Sequence, residues 1–133
     1  MSKIVVKAEP ELNTLFLVLS GQASVKFVQA IRVIVESELT KLNPGFNIYN
    51  DSRGFQAVVD DSYDAMLELC KKLQEKQPSR IARLLNPYSR MIFNRISAQL
   101  GYSAREFTSV KSALEYLEIN HQASIVSLIN PAQ

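Results

Sequence analysis

Leu15-Phe16-Leu17-Val18-Leu19-Ser20-Gly21 sets the reading of the whole chain. Five consecutive apolar residues closed by Ser-Gly are too short for a helix. They are also too uniformly apolar for a strand with one wet face, so they read as a strand covered on both sides. Upstream, Ile4-Val5-Val6 reads as a neighbouring strand, and Glu9-Pro10-Glu11-Leu12-Asn13 as the turn that makes the pair antiparallel. Downstream, from about Ser24, Phe27, Val28, Ile31, Ile34, Val35, Leu39 and Leu42 recur at spacings of three and four. Several of these are β-branched, but length and period predict a helix, stopped by Asn43-Pro44-Gly45.

The alternation continues to Ile119. Phe46 to Asn50 reads as a third strand and Asp51-Ser52-Arg53-Gly54-Phe55 as the loop after it. A second helix starts at Asp61 or Ser62, with Met66, Leu69, Cys70 and Leu73 on one face, and ends before Pro78. Arg80 to Leu85 is the fourth strand. Asn86-Pro87 then gives a helix start, Asn as N-cap and Pro in the first turn. That third helix carries Met91, Ile92, Ile96 and Leu100 inward and ends at Gly101. Ala104 to Thr108 is a weaker fifth strand, and Ser109 caps a last helix holding Ala113, Leu114 and Leu117. The order ββαβαβαβα predicts an α/β domain: a mixed, mainly parallel five-stranded sheet, about four helices and right-handed crossovers. Residues 1–120 form one domain, and 121–133 a C-terminal tail that is apolar around Ile125, Val126, Leu128 and Ile129.

The balance of charge narrows the function classes. At 133 residues and 47% hydrophobic, the chain suits one domain with its own core. A net charge of +2 lacks the basic footprint of a nucleic-acid binder. The single cysteine, Cys70, allows no intramolecular disulfide and fits a reducing compartment. Met1-Ser2-Lys3 and the short apolar triplet after it lack a signal peptide's apolar region, and no run is long enough to span a membrane. A cytoplasmic protein is expected.

In open α/β sheets, ligands sit beyond the carboxyl ends of the strands, and the stretch Asp51 to Ser62 is the longest and most polar of those ends here. Ser62 falls at a helix start, where free N–H groups and the helix dipole favour a phosphate. A phosphoserine there would add about −1.5 to −2 charges beside Asp60, Asp61 and Asp64. The plainer reading of the same residues is an ordinary N-cap. Asp60, Asp61 and Asp64 lack the oxygen spacing of a calcium loop, so no metal is expected. Arg80, Arg83, Arg90, Arg95 and Arg105 make residues 80–105 locally basic, and Arg83 and Arg90 are the candidates to face an anionic ligand. His121 has no nucleophile in a recognisable setting, Cys70 falls on an apolar face, and the glycines are too scattered for a phosphate loop. Neither an enzyme nor a cofactor is expected from these residues.

The element order over residues 4–119 resembles the STAS domain, the fold shared by sulfate transporters and bacterial anti-sigma-factor antagonists. Leu15 to Gly21 is similar to that family's second strand. Asp51 to Phe55, with Asp61-Ser62 and Leu67, resembles its strand, Asp-Leu-Ser-Gly loop and Asp-Ser helix start. Gly101-Tyr102, Phe107, Ser109 and Ser112-Ala113-Leu114 are similar to its closing strand and helix. Tyr63 and Asp64 replace the small Ser and Gly that usually follow the Asp-Ser pair, and the preceding loop is about two residues longer. The resemblance implies a non-enzymatic regulatory or protein-interaction module, switched at Ser62, with a kinase or other regulator docking on Asp51, Ser52, Gly54, Phe55, Asp60 and Asp61. Two alternatives stay open: a small-ligand domain for an anion, nucleotide or lipid held by Arg83 and Arg90 at the strand ends, and an enzyme with an unrecognised site. A homo-oligomer would cover the apolar tail and the sheet edge.

Overall fold

The computed structural model describes residues 3–57, 62–120 and residue 129. A hairpin opens the chain, β1 (Lys3–Glu9) running antiparallel to β2 (Thr14–Gln22). Asn13 takes the left-handed conformation in the turn, at φ 45°, which its short polar side chain tolerates. Strand and helix then alternate: α1 (Val25–Leu39), β3 (Asn47–Gln56), α2 (Tyr63–Glu75), β4 (Ile81–Leu85), α3 (Pro87–Leu100), β5 (Arg105–Glu106) and α4 (Val110–Tyr116). The strands lie side by side in chain order, parallel from β2 through β5. The α/β class, the mixed five-stranded sheet and the four helices agree with the sequence reading.

Every crossover from β2 to β5 advances one strand in the same direction, so crossovers of a single hand place α1, α2 and α3 on one face. Their inward residues meet Leu15, Leu17, Leu19, Ile48, Phe55, Ile81 and Leu85 in the larger core. The opposite face holds Phe16, Tyr49, Ala82 and Leu84 against Ala113 and Leu114 of α4, with Ile129 in the same cluster. β2 is therefore buried on both sides, as its unbroken apolar run requires.

Helix starts follow the capping residues. Ser24 accepts from the Phe27 N–H at 3.1 Å, and Ser109 from the Ser112 N–H at 3.1 Å. Asn86 and Ser89 exchange side-chain and backbone bonds in a capping box ahead of Pro87, and Gly101 ends α3 at φ 75°.

Three expectations are corrected. Asp51 to Phe55 is the second half of β3, with no loop before Gln56. A bulge lies there: Val18 pairs with Asp51 but Ser20 with Gly54, one extra residue on β3. Gly54 is required at that point because a Cβ on it would overlap the Ser20 Cβ. Second, Ile34 and Met91 do not face the core; they are 38% and 59% exposed, because Ile31 and Val35 set the inner stripe of α1, and Ser89, Phe93 and Ile96 that of α3. Third, the fifth strand is cut to two residues, since pairing to β4 extends only over Ala82 and Arg83.

Candidate functional site

The bulge turns β3 so that Ile48, Asn50, Ser52 and then Phe55 all point to the helix-covered face, while Tyr49 and Asp51 point away. The expected docking residues are consequently spread over two faces. Asp51 is 6% exposed and holds Arg53 in a fork, Nε to Oδ1 at 2.9 Å and Nη2 to Oδ2 at 2.8 Å. Ser52 is fully buried and donates to Asn50 Oδ1 at 2.5 Å. Phe55 is 2% exposed, its ring between those of Phe27 and Phe93 at 6.0 and 6.5 Å. Gly54 is packed on Ser20. Asp60, Asp61 and His121 lie outside the described residues.

The carboxyl ends of β3 and β4 are bound to each other. The Asn86 amide donates to the carbonyl oxygens of Arg53 and Phe55, both at 2.7 Å, while its own Oδ1 caps α3. An external ligand at that point has to compete with three internal hydrogen bonds.

Ser62 stands at the N-cap of α2, but its side chain makes no capping hydrogen bond, and it is 4% exposed. A neighbour explains how α2 is anchored instead. The Tyr63 hydroxyl donates to Gln99 Oε1 at 2.6 Å, and the Arg95 guanidinium stacks over the Tyr63 ring at 4.0 Å. Tyr63 thus ties the start of α2 to α3. Beside it a groove of about 310 Å³ runs between α1 and α2, lined by Val25, Gln29 and Arg32 on one side and Asp64, Ala65 and Glu68 on the other. Val33 and Ile34 are exposed on the same helix, α1.

The two arginines expected to act together have separate partners. Arg90 forms a forked ion pair with Glu106, Nε to Oε1 at 2.9 Å and Nη2 to Oε2 at 2.6 Å, which holds the Glu106 carboxyl below its ordinary range. Arg83 is in the middle of β4, 4% exposed, on the face under α2 and α3. Its Nη1 donates to Ser97 Oγ at 3.1 Å and its Nη2 to the Tyr102 hydroxyl at 3.0 Å. The guanidinium also lies 5.3 Å from the Phe93 ring and 5.6 Å from the Tyr102 ring. Its Nε has no hydrogen-bond partner. The sequence offers Arg83 to an anionic ligand at the strand ends; the signal that places it inside instead is a charged residue within Ile81-Ala82-Arg83-Leu84-Leu85, a run otherwise apolar on both faces.

Cys70 completes this cluster. Burial pushes its thiol up to about 11, against a hydrogen bond from Tyr102 that acts the other way. Among the described residues no group of three or more His, Cys, Asp and Glu is placed to hold a metal ion, and no helix is long and apolar enough to cross a membrane. No family model and no curated protein matches this chain.

Proposed function

We propose that this chain is a non-enzymatic, STAS-like regulatory module that docks a protein partner on α1 and the start of α2. The observation that carries the reading is the groove between those helices. It sets Arg32 opposite Asp64 and Glu68 over an apolar floor, and it opens next to the Ser62 turn. Exposed Val33, one turn after Gln29, extends an apolar contact along α1 beside the groove, in the pattern of a charged rim around an apolar centre. The Asp51–Phe55 segment supports this surface from within the sheet and does not touch the partner.

Ser62 is the switch position in this reading. Because its side chain is buried, a phosphate can be accepted only when the first turn of α2 opens, and the added charge then repels Asp64 while the turn is held apart. Modification would therefore change the shape of the groove as well as its charge.

Affinity capture from cells that express the protein tests this. Wild type, Glu68→Lys, Val33→Asp, Ser62→Ala and Ser62→Asp serve as baits, with circular dichroism to confirm that each is folded. A partner kept by wild type and Ser62→Ala and lost by the other three is expected, together with hydrogen-exchange protection of α1 and α2 in the complex. A partner held equally by all five baits would remove the groove from the account.

A further inference from the structure

Arg83 is a guanidinium inside the protein that forms no ion pair among the described residues. Among the described residues no carboxylate lies within 4 Å of it; the ion pairs of the fold belong to other arginines and lysines. Its two hydrogen-bond partners are neutral hydroxyls. Ser97 accepts from Arg83 while donating to the Phe93 carbonyl at 2.6 Å, so its one proton is already placed. Tyr102 accepts from Arg83 and is bonded in turn to Cys70. Glu106, opposite Arg83 on β5, acts on it through space but is held in a forked ion pair by Arg90. A charge removed from water without a direct ion-pair partner is costly for a core to carry.

A cavity of about 30 Å³ lies against this group, walled by Leu17, Ile48, Met66 and Leu69 and reached by Asn50 and Arg83. The space suffices for one or two water-sized species. Two of the polar residues bordering it, Arg83 and Asn50, have donors to offer. The Arg83 Nε–H is unpaired, and the Asn50 carbonyl is taken by Ser52, which leaves its amide N–H groups. Donors around a fixed positive charge select an anion and reject a metal cation or an amine. Of the residues lining the cavity, only Gln74 and Tyr102 are partly exposed, and they mark its way to solvent.

We propose that this cavity between β3, β4 and α2 is a binding site for one small inorganic anion of halide size, held by Arg83 Nε and the Asn50 amide as the internal counter-ion of the fold. The volume excludes nucleotides, acyl chains and phosphorylated metabolites. The site lies beneath the helices, away from the α1–α2 groove and the strand ends, so it stands or falls independently of the docking surface.

Two measurements test it. Thermal unfolding is followed in sodium chloride and in sodium gluconate at equal ionic strength, gluconate being too large to enter. Wild type is expected to gain about 5 °C per tenfold rise in chloride above the dissociation constant, with no such gain in gluconate. Folded Arg83→Met is expected to lose the difference between the salts. Crystals of wild type soaked in sodium bromide supply a readout that needs no variant: an anomalous peak is expected in contact with Arg83 Nε. Equal unfolding midpoints for wild type in the two salts, a chloride gain that persists in folded Arg83→Met, or a bromide map empty at Arg83 and Asn50 would each overturn the proposal.

Discussion

Gly54 and Ser20 touch across the β2–β3 bulge, and their contact leaves no room for a methyl group. Gly54→Ala is therefore expected to destabilise the fold by about 1–3 kcal/mol through overpacking. Ser20→Gly removes the side chain it would strike, so the double variant Gly54→Ala/Ser20→Gly should recover part of that loss. Urea unfolding of the two single variants and the double measures the coupling; strictly additive losses would show that the two positions do not meet. This contact is also where sequence reading failed. Asp51, Ser52 and Gly54 are turn-favouring residues, and nothing local distinguishes a turn from a bulged strand. The deciding fact is the register against β2, a long-range property. Arg83 failed for the related reason that charge alone suggests a surface, whereas its apolar neighbours on both faces of β4 fix it inside.

At the scale of elements, the two internal helix starts are built in opposite ways. α3 begins on Asn86, whose amide caps the helix and also bonds two β3 carbonyls. α2 begins on Ser62, whose side chain caps nothing, and is fastened by Tyr63 to Gln99 and Arg95 of α3. Asn86→Ala is expected to cost about 2 kcal/mol, a lost cap together with the lost hydrogen bonds to the Arg53 and Phe55 carbonyls. Ser62→Ala should cost less than Asn86→Ala, since no side-chain cap is lost with it. Chemical denaturation with both variants side by side gives the comparison, and a Ser62→Ala loss equal to that of Asn86→Ala would assign Ser62 a cap it does not show. The α3 start was legible because Asn-Pro ahead of a helix-period apolar run combines an N-cap with a first-turn proline, a local signal. The α2 start was placed within a residue or two by periodicity, but its anchor was not legible, since Tyr63, Arg95 and Gln99 come together only once α2 and α3 are packed.

Over the whole molecule, the groups that titrate differently on folding bracket a range of greatest stability. On the acid side stand two carboxylates that join separate elements. Glu38 is lowered first by its hydrogen bond from Lys41 and then by the N–H of Ala8 on β1, which donates to it at 2.9 Å. Glu106 is lowered by Arg90, joining β5 to α3. Both folded values lie below the ordinary one, so the unfolded chain takes up protons first and stability declines as pH falls below about 4.5. On the alkaline side burial raises Cys70 from 9.0 to about 11 and lifts Tyr49 and Tyr102 well above the usual phenol value. Here the unfolded chain gives up protons first, so stability present below pH 9 is lost progressively as the pH rises through 9 to 11. The expected profile is a plateau between about pH 5 and 8.5 with a fall on each side. Unfolding midpoints in urea from pH 3 to 10.5 trace it. Glu38→Gln/Glu106→Gln should flatten the acid limb alone, and Cys70→Ala should move the start of the alkaline limb toward the tyrosines. An acid limb unchanged in the double variant would mean that these two bridges do not carry the acid sensitivity of the fold.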